Sequence, residues 1–456
     1  MKGSAFPTIR RLGVGLAAAG LLFTAACSGS GGEGEAAGGG EEQAAAVDLV
    51  ITPADGGADI SPDSPVTVSA TGGTIDEVTV TQTGGEEQQA EEAVAQESPE
   101  AGEDVEEEFG TVTGTLNEDK TEWTSDWTLT PGSKVTVVAT GTNEAGESTE
   151  VTSEFSTLAA VPGQRLEIQS NFPVSGDTVG IGMPIIINFD LPVENKAAVE
   201  AAMEVVSEEP TQGAWNWFGD QMAVFRTEEY WEPNQKVTVN MHLAGVQASE
   251  GVYGVKNHQL NFEVGRSQTT EIDNDTHRMV VTRDGEQIQD FPISNGDGST
   301  RAFTTTSGVH LTMEKYQHLI MDSATVGIPK GSPGYYYLDV NYAVRVSNSG
   351  EFTHAAPWNG DLGVANRSHG CTNMSTADAQ WFYENSYMGD PVTITGTDRE
   401  LEVDNGWGFW QRSWDEWLAN STVGEADKTD EAGSPGSPLA GAEAAEESPE
   451  EEAAAN

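Results

Sequence analysis

Cysteine is nearly absent: two residues in a chain of 456. That excludes a small disulfide-stapled scaffold. Positive charge is scarce as well, with 21 Lys and Arg against 74 Asp and Glu and a formal net charge of −53. So acidic a chain repels a polyanion, which excludes nucleic acid as a partner. Long hydrophobic runs are missing too. The apolar stretch Leu12 to Ala26 has about fifteen residues, where roughly 20 are needed to span a bilayer. With 52 Gly, 20 Pro and 37% hydrophobic residues, the composition also argues against a helical bundle. The length corresponds to two to four domains.

What is present begins with an address. Lys2, Arg10 and Arg11 precede the apolar stretch, which ends in Thr24-Ala25-Ala26-Cys27. A basic region, a short apolar core and small residues before a cysteine resemble a bacterial lipoprotein signal over residues 1–26. Thr24 departs from the aliphatic residue usual at its place. The expectation is an exported protein whose lipidated Cys27 anchors it to the membrane, facing outward. Residues 27–47 are rich in Gly, Ser, Ala and Glu and read as a flexible linker with a span of about 25 Å.

Short β-branched runs follow. Val66 to Ala70, Val78 to Thr81 and Lys134 to Ala139, punctuated by turn residues, predict a first β-sandwich over 48–160. An acidic run at 86–108, with eleven Asp or Glu and no Lys or Arg, would loop out of it. A second sandwich is expected over 161–265. Ile185 to Phe189 would be a buried strand and Val237 to Leu243 an alternating one. Asn195 would cap a short helix running to Val205, and Trp215, Trp217 and Trp231 would belong to core and rim.

A different style occupies 266–400. Arg278 to Thr282, the turn Asp284-Gly285, and Gln287-Ile288 make a hairpin. Strands follow at 308–313, 316–322 and 336–346, then a helix from Ser375 and a strand at Val392 to Thr395. In 401–424, Trp407, Trp410, Trp414 and Trp417 recur at helical spacing. Ser413-Trp414-Asp415-Glu416 reads as a capping box. Packing against a neighbouring domain is the expected use of these rings. Residues 425–456 are acidic and rich in Ala, Ser and Pro, and are expected to be disordered.

With Cys27 set aside, Cys371 is a lone thiol. His369 lies two residues before it, and His354 lies seventeen before, far enough to return on a neighbouring strand. A histidine can take the proton that makes a thiol nucleophilic. Gly370 would let the backbone turn and aim amide groups at an oxyanion, and Asn373 can hydrogen-bond a peptide. One Cys and two His could also hold zinc, although no second Cys, no His pair four apart and no nearby Glu ligand supports a metal. An inert buried cysteine is the third reading. Spacing alone leaves all three open.

The string Ser368-His369-Gly370-Cys371-Thr372-Asn373, with His354 upstream, resembles the signature of the bacterial cell-wall L,D-transpeptidases. The likeness extends over Lys315 to Ser323, Tyr336, Ser349-Gly350, His354 to Trp358 and Ala379 to Tyr383, in the manner of the mycobacterial-type members. Two preceding immunoglobulin-like domains and a Trp-rich segment fit the same pattern. The resemblance implies a mainly β fold and an acyltransferase that needs no cofactor. It would form 3→3 cross-links between peptidoglycan stem peptides through a cysteine thioester, releasing D-alanine. Cys371 would be the nucleophile and His354 its proton acceptor, oriented by the carbonyl of Ala355. Tyr336 and the amides at Gly370 and Cys371 would form the oxyanion hole. Ser349, Gly350 and Asn373 would hold the donor stem. Met321 would line a lid, and His369, Ser368 and Trp358 would support the loop. Hydrolysis of the same bond, or attachment of a protein to peptidoglycan, are the alternatives within that chemistry.

Overall fold

The computed structural model describes residues 46–84 and 112–440. The leader 1–26, the linker through residue 45, the acidic run 86–108 and the tail beyond Ala440 lie outside the described residues.

The fold is mainly β, as the composition and alternation require. In the first sandwich, one sheet has the order Asp48–Thr52, Thr67–Thr71, Glu122–Ser125, Gly114–Leu116. The other joins Gly73–Thr83, Lys134–Asn143 and Ser148–Ser156, all antiparallel. Strict alternation along Lys134–Asn143 sends Val135, Val137 and Ala139 inward. They meet Ile75 from the neighbouring strand and Val66, Val68 and Trp123 from the facing side.

The second sandwich packs Thr178–Val179, His258–Val264, Gln235–Met241 and Met203–Ser207 against a five-stranded sheet containing Gln212–Phe218, Met222–Thr227, Ile185–Phe189 and Ile168–Phe172. Trp215 and Trp231 are buried in its core and Trp217 packs at the margin. The helix after Asn195 is shorter than expected. It covers Lys196–Ala201 only, and the Asn195 side chain donates to Gln247 O instead of capping it. Val205 and Val206 instead join the strand Met203–Ser207, paired with Gln235–Met241. Their β-branched side chains fit that ladder better than a helix, so tertiary pairing overrides the cap signal.

The segment that follows carries two sheets with the helix Thr376–Asn385 between them. One sheet runs Glu286–Pro292, Arg278–Arg283, Gln268–Asp273, Pro391–Thr395, Gly308–Leu311. The other runs Lys315–Asp322, Tyr337–Arg345, Phe352–Ala355, Thr372–Met374. Asp284 and Gly285 both have positive φ, which a two-residue hairpin turn of the expected kind demands. Ser375 caps the helix by accepting from Asp378 N. Ala379 and Phe382 then bury against Met279, Val281, Phe291 and Met374.

The tryptophans near the C-terminus join the second sandwich to this segment. The capping box at Ser413 and Glu416 starts the helix Trp414–Ala419, and Trp407 and Trp410 precede it. Arg226, buried in the sandwich, lies over Trp410 and Trp417, each with its ring centre 4.7 Å away. Its guanidinium also donates to the carbonyls of Phe409 and Arg412. Such a desolvated cation–π contact stabilises by about 2 kcal/mol. Trp417 is fully buried and donates Nε1–H to Ala214 O.

The expectation of disorder beyond Val423 fails as far as Ala440. Asp427–Lys428 adds a strand to the edge at Gln212 and Gly213, and Thr429 and Ser434 are buried. Acidic composition gave the wrong answer because one of the carboxyl groups here, Asp427, is sheltered. Burial pushes Asp427 up to about 8, helped by the charges on Glu204 and Asp430 and opposed by Ser434. Ser434 Oγ lies 3.1 Å from Asp427 Oδ2 and 3.0 Å from Met203 O. Its single proton serves the carbonyl when Asp427 is protonated and donates in turn. A raised carboxyl contributes stability below its unfolded value near 4 and loses it as pH rises through 8. Asp427→Asn, which keeps a donor and removes the charge, should therefore raise Tm by about 3 °C or more at pH 8 and by nothing at pH 4 in thermal melts.

Candidate active site

The site is built on one parallel strand pair. Phe352–Ala355 lies beside Thr372–Met374 in the register Thr353 with Thr372, His354 with Asn373, Ala355 with Met374. Partners in such a pair project to one face, and residues two apart on a strand share a face. Cys371, two before Asn373, therefore lies on the same face as His354, with Cα atoms about 8 Å apart by strand geometry. The second strand is pinned on its far side by Ser294, which exchanges backbone hydrogen bonds with Asn373. Gly370, with φ +128°, turns the chain into it.

The sulfur sits in a backbone cradle. Cys371 Sγ donates to Gly350 O at 3.6 Å and accepts from the Phe352 N–H. Met321, Val340, Ala343 and Phe352 pack around it, leaving 7% exposed. Burial is the main effect and pushes the thiol up to about 12. The Phe352 N–H and Arg345 oppose that rise, and the charge on Glu351 adds to it.

His354 is fixed at both nitrogens. Nδ1–H donates to Ala355 O at 2.9 Å, so the backbone does the orienting and the side chain at 355 need not. Nε2 accepts from the Asn373 amide at 3.1 Å, and Asn373 Oδ1 accepts from Asn359 at 3.1 Å. Burial drives the imidazole down to about 4, against the Ala355 hydrogen bond. Thiol and imidazole are thus both neutral at rest, and among the described hydrogen bonds none joins them. A preformed thiolate–imidazolium pair would cost on the order of 10 kcal/mol before their mutual attraction. Proton transfer therefore belongs to the reacting complex.

Around this pair the expected residues gather, with two changes of part. Tyr336 lies near the thiol: burial, and then the charge of Cys371, push its phenol up to about 12. His369 is exposed and its ring meets Tyr336 tilted and Phe303 edge-on, with centroids at 4.9 and 4.6 Å. Trp358 is exposed, its ring 6.4 Å from that of His354. Ser349 is exposed, and its backbone N–H donates to Asn405 Oδ1 at 2.8 Å. The Gly370 amide, expected in the oxyanion hole, is instead committed to Ser368 Oγ at 3.1 Å. Ser368 in turn donates to Cys371 O. Asn373, expected to hold substrate, uses its amide on His354, because a side chain 5% exposed must find its partners inside.

Sequence reasoning missed the groups behind the cradle. Glu351 sits between Gly350 and Phe352, and its partners Thr306, His310 and Arg399, like Asn405, come from distant stretches with no local motif to mark them. Among the described residues no three His, Cys, Asp or Glu converge as metal ligands.

The chain is 32% identical to L,D-transpeptidase 2 of Mycobacterium tuberculosis, over 82% of its own length and 84% of that protein. It belongs to the L,D-transpeptidase family. L,D-transpeptidase 5 of the same species is 31% identical over 82% of this chain and 77% of its own length. The L,D-transpeptidase catalytic domain pattern matches residues 267–394, which hold the whole strand pair, and a bacterial Ig domain pattern matches 100–247. A solved L,D-transpeptidase from Mycobacterium smegmatis is 30% identical, covers 51% of this chain and 99% of its own, and superposes with a TM-score of 0.43.

Gly350 carries much of the transpeptidase's cradle geometry. Its φ is +92°, and a Cβ there would sit 2.6 Å from Val326 Cγ1. Gly350→Ala should move the carbonyl that holds the sulfur and slow alkylation of Cys371 or acylation by a stem peptide by about tenfold. Stopped-flow fluorescence would measure the second rate.

Proposed function

We propose that this enzyme forms 3→3 cross-links in peptidoglycan. The observation that carries the reading is the shared face of Cys371 and His354, with the imidazole oriented by Ala355 O and open at Nε2 once the Asn373 amide yields. Cys371 Sγ attacks the carbonyl of the third residue (diaminopimelate) of a tetrapeptide stem. His354 Nε2 takes the thiol proton and passes it to the departing amine of D-alanine. The product is a thioester acyl-enzyme. The side-chain amine of a second stem then attacks, returning a proton through His354 and freeing the thiol. Tyr336 and the Cys371 backbone N–H stabilise the oxyanion in this reading, supported by the nearness of Tyr336 to the thiol. Gly350, Ser349 and Met321 line the approach, with His369 and Ser368 bracing the loop.

Keeping both groups neutral at rest suits this chemistry. The charge that develops in the transition state then meets fixed dipoles in a water-poor setting, where each counts for more than in water. Removing one oxyanion donor typically costs about 10²–10³ in rate, so Tyr336→Phe should lower the acylation rate by about 10²-fold with little change in Tm.

The leader and linker support export and tethering through a lipidated Cys27, with the sandwiches as spacers between membrane and wall. Cys371→Ala should form no acyl-enzyme with a disaccharide-tetrapeptide, and a carbapenem should add its mass to the wild type alone. An adduct on the variant would defeat the assignment. Mass spectrometry of the products separates the outcomes: dimers with loss of D-alanine support cross-linking, whereas tripeptide alone indicates hydrolysis.

A further inference from the structure

The cradle around the sulfur is made of two peptide groups, Gly350 C=O and Phe352 N–H. They flank one residue, Glu351, which is 4% exposed. Strand alternation turns its side chain away from the sulfur into the interior. There its carboxylate accepts from Thr306 N at 2.8 Å and from the Thr306 hydroxyl. Its own N–H donates to Ser347 Oγ at 3.2 Å, and its carbonyl accepts from Val346 N at 3.0 Å. Both peptide groups that touch the thiol are therefore tied to one anchored side chain.

That side chain carries charge in a dry place, and its compensation can be traced proton by proton. The Thr306 hydroxyl has one proton, which goes to Glu351 Oε2. His310 Nε2, at 2.7 Å from Thr306 Oγ1, must then donate to it. His310 Nδ1 lies 3.1 Å from Gly308 O, an acceptor only, so it also donates. Both ring nitrogens thus carry protons, in a residue with no exposed surface. Arg399 Nη1 lies 3.9 Å from Glu351 Oε1. Burial raises the Glu351 carboxyl, but the hydrogen bonds and charge of His310 and Thr306 outweigh it and hold the group below the ordinary glutamate value. The charged groups bearing on it are His310 and Arg399, and the Cys371 thiol feels both its charge and that of Arg345.

We propose that Glu351 is the positioning residue of the nucleophile, anchored through Thr306, and that His310 and Arg399 balance its charge so that Cys371 can ionise. This rests on Cys371 being the nucleophile. Without His310, the charge of the carboxylate would act on the sulfur with less compensation and oppose the thiolate. Without both partners of the pair, that opposition disappears.

The test is iodoacetamide alkylation of the full chain at pH 8 to 10, read by mass on the peptide carrying Cys371, with melts to confirm folding. His310→Gln should slow alkylation and acylation by a tetrapeptide stem by about tenfold, the equivalent of one pH unit. Arg399→Gln should act in the same direction and serves if His310→Gln does not fold. The double variant Glu351→Gln/His310→Gln should alkylate faster than His310→Gln alone, since an uncompensated charge is then absent, yet stay slower than wild type because the anchor of the cradle is weakened. A merely structural pair would make the double variant as slow as the slower single variant, or slower. That result, or an unchanged rate in folded single variants, overturns the proposal. Failure of the nucleophile assignment looks different: Cys371→Ala would still form an acyl-enzyme.

Discussion

The pairing of Cys371 with His354 on one face depends on the register between Phe352–Ala355 and Thr372–Met374. A slip of one residue would send His354 and Cys371 to opposite faces of the sheet, because side chains alternate with a period of two. The register is defended on several sides. Gly350 and Gly370, both at positive φ, turn the chain at the two entrances. Ser294 pins the outer strand, and the helix Thr376–Asn385 follows it at once, its cap Ser375 one residue beyond Met374. Ala355 and Met374 lie in the core beneath, with Phe382 of that helix. The core thus fixes the alternate positions of the strand pair, and the reactive positions are fixed as their complement.

The remainder of the chain reaches this register through the Trp-rich segment. Arg226 of the second sandwich is enclosed by Trp410 and Trp417. From there the segment runs back to Asn405, whose side chain accepts from Ser349 N and donates to Ser349 Oγ. Ser349 precedes the glycine that holds the thiol. A seam of backbone hydrogen bonds, Gly180 N to Met388 O and Gly182 N to Gly389 O, joins the sandwich to the same part of the molecule. The second sandwich is therefore more than a spacer: its core is continuous with Leu311 and Met313 beside the site.

Much of this was legible from residue order because the signals are local. The hairpin at Asp284-Gly285, the cap at Ser375 and the box at Ser413 each need only a few neighbouring residues, and each formed where its pattern stood. The thiol and imidazole were legible because a short motif carries them. What escaped depends on contacts between distant stretches. Nothing near Glu351 announces Thr306, 45 residues away, and nothing near Ser349 announces Asn405. Asn373 was expected at the substrate; its burial, invisible in a linear string, gives its amide the His354 acceptor at rest. The tail from Glu425 to Ala440 was misjudged for a related reason: acidic side chains were counted as charges, whereas Asp427 sits where it holds its proton.

The covered, protonated state of the sulfur has a bearing on survival in an oxidising medium. Peroxide and hypochlorous species attack thiolates, and the first product, a sulfenic acid, goes on to irreversible forms when no second thiol is at hand to rescue it. Cys371 has no neighbouring cysteine among the described residues. Its defence is to remain a thiol, nine-tenths wrapped by Met321, Val340 and Phe352. Corrosive small molecules meet hydrocarbon there rather than an anion.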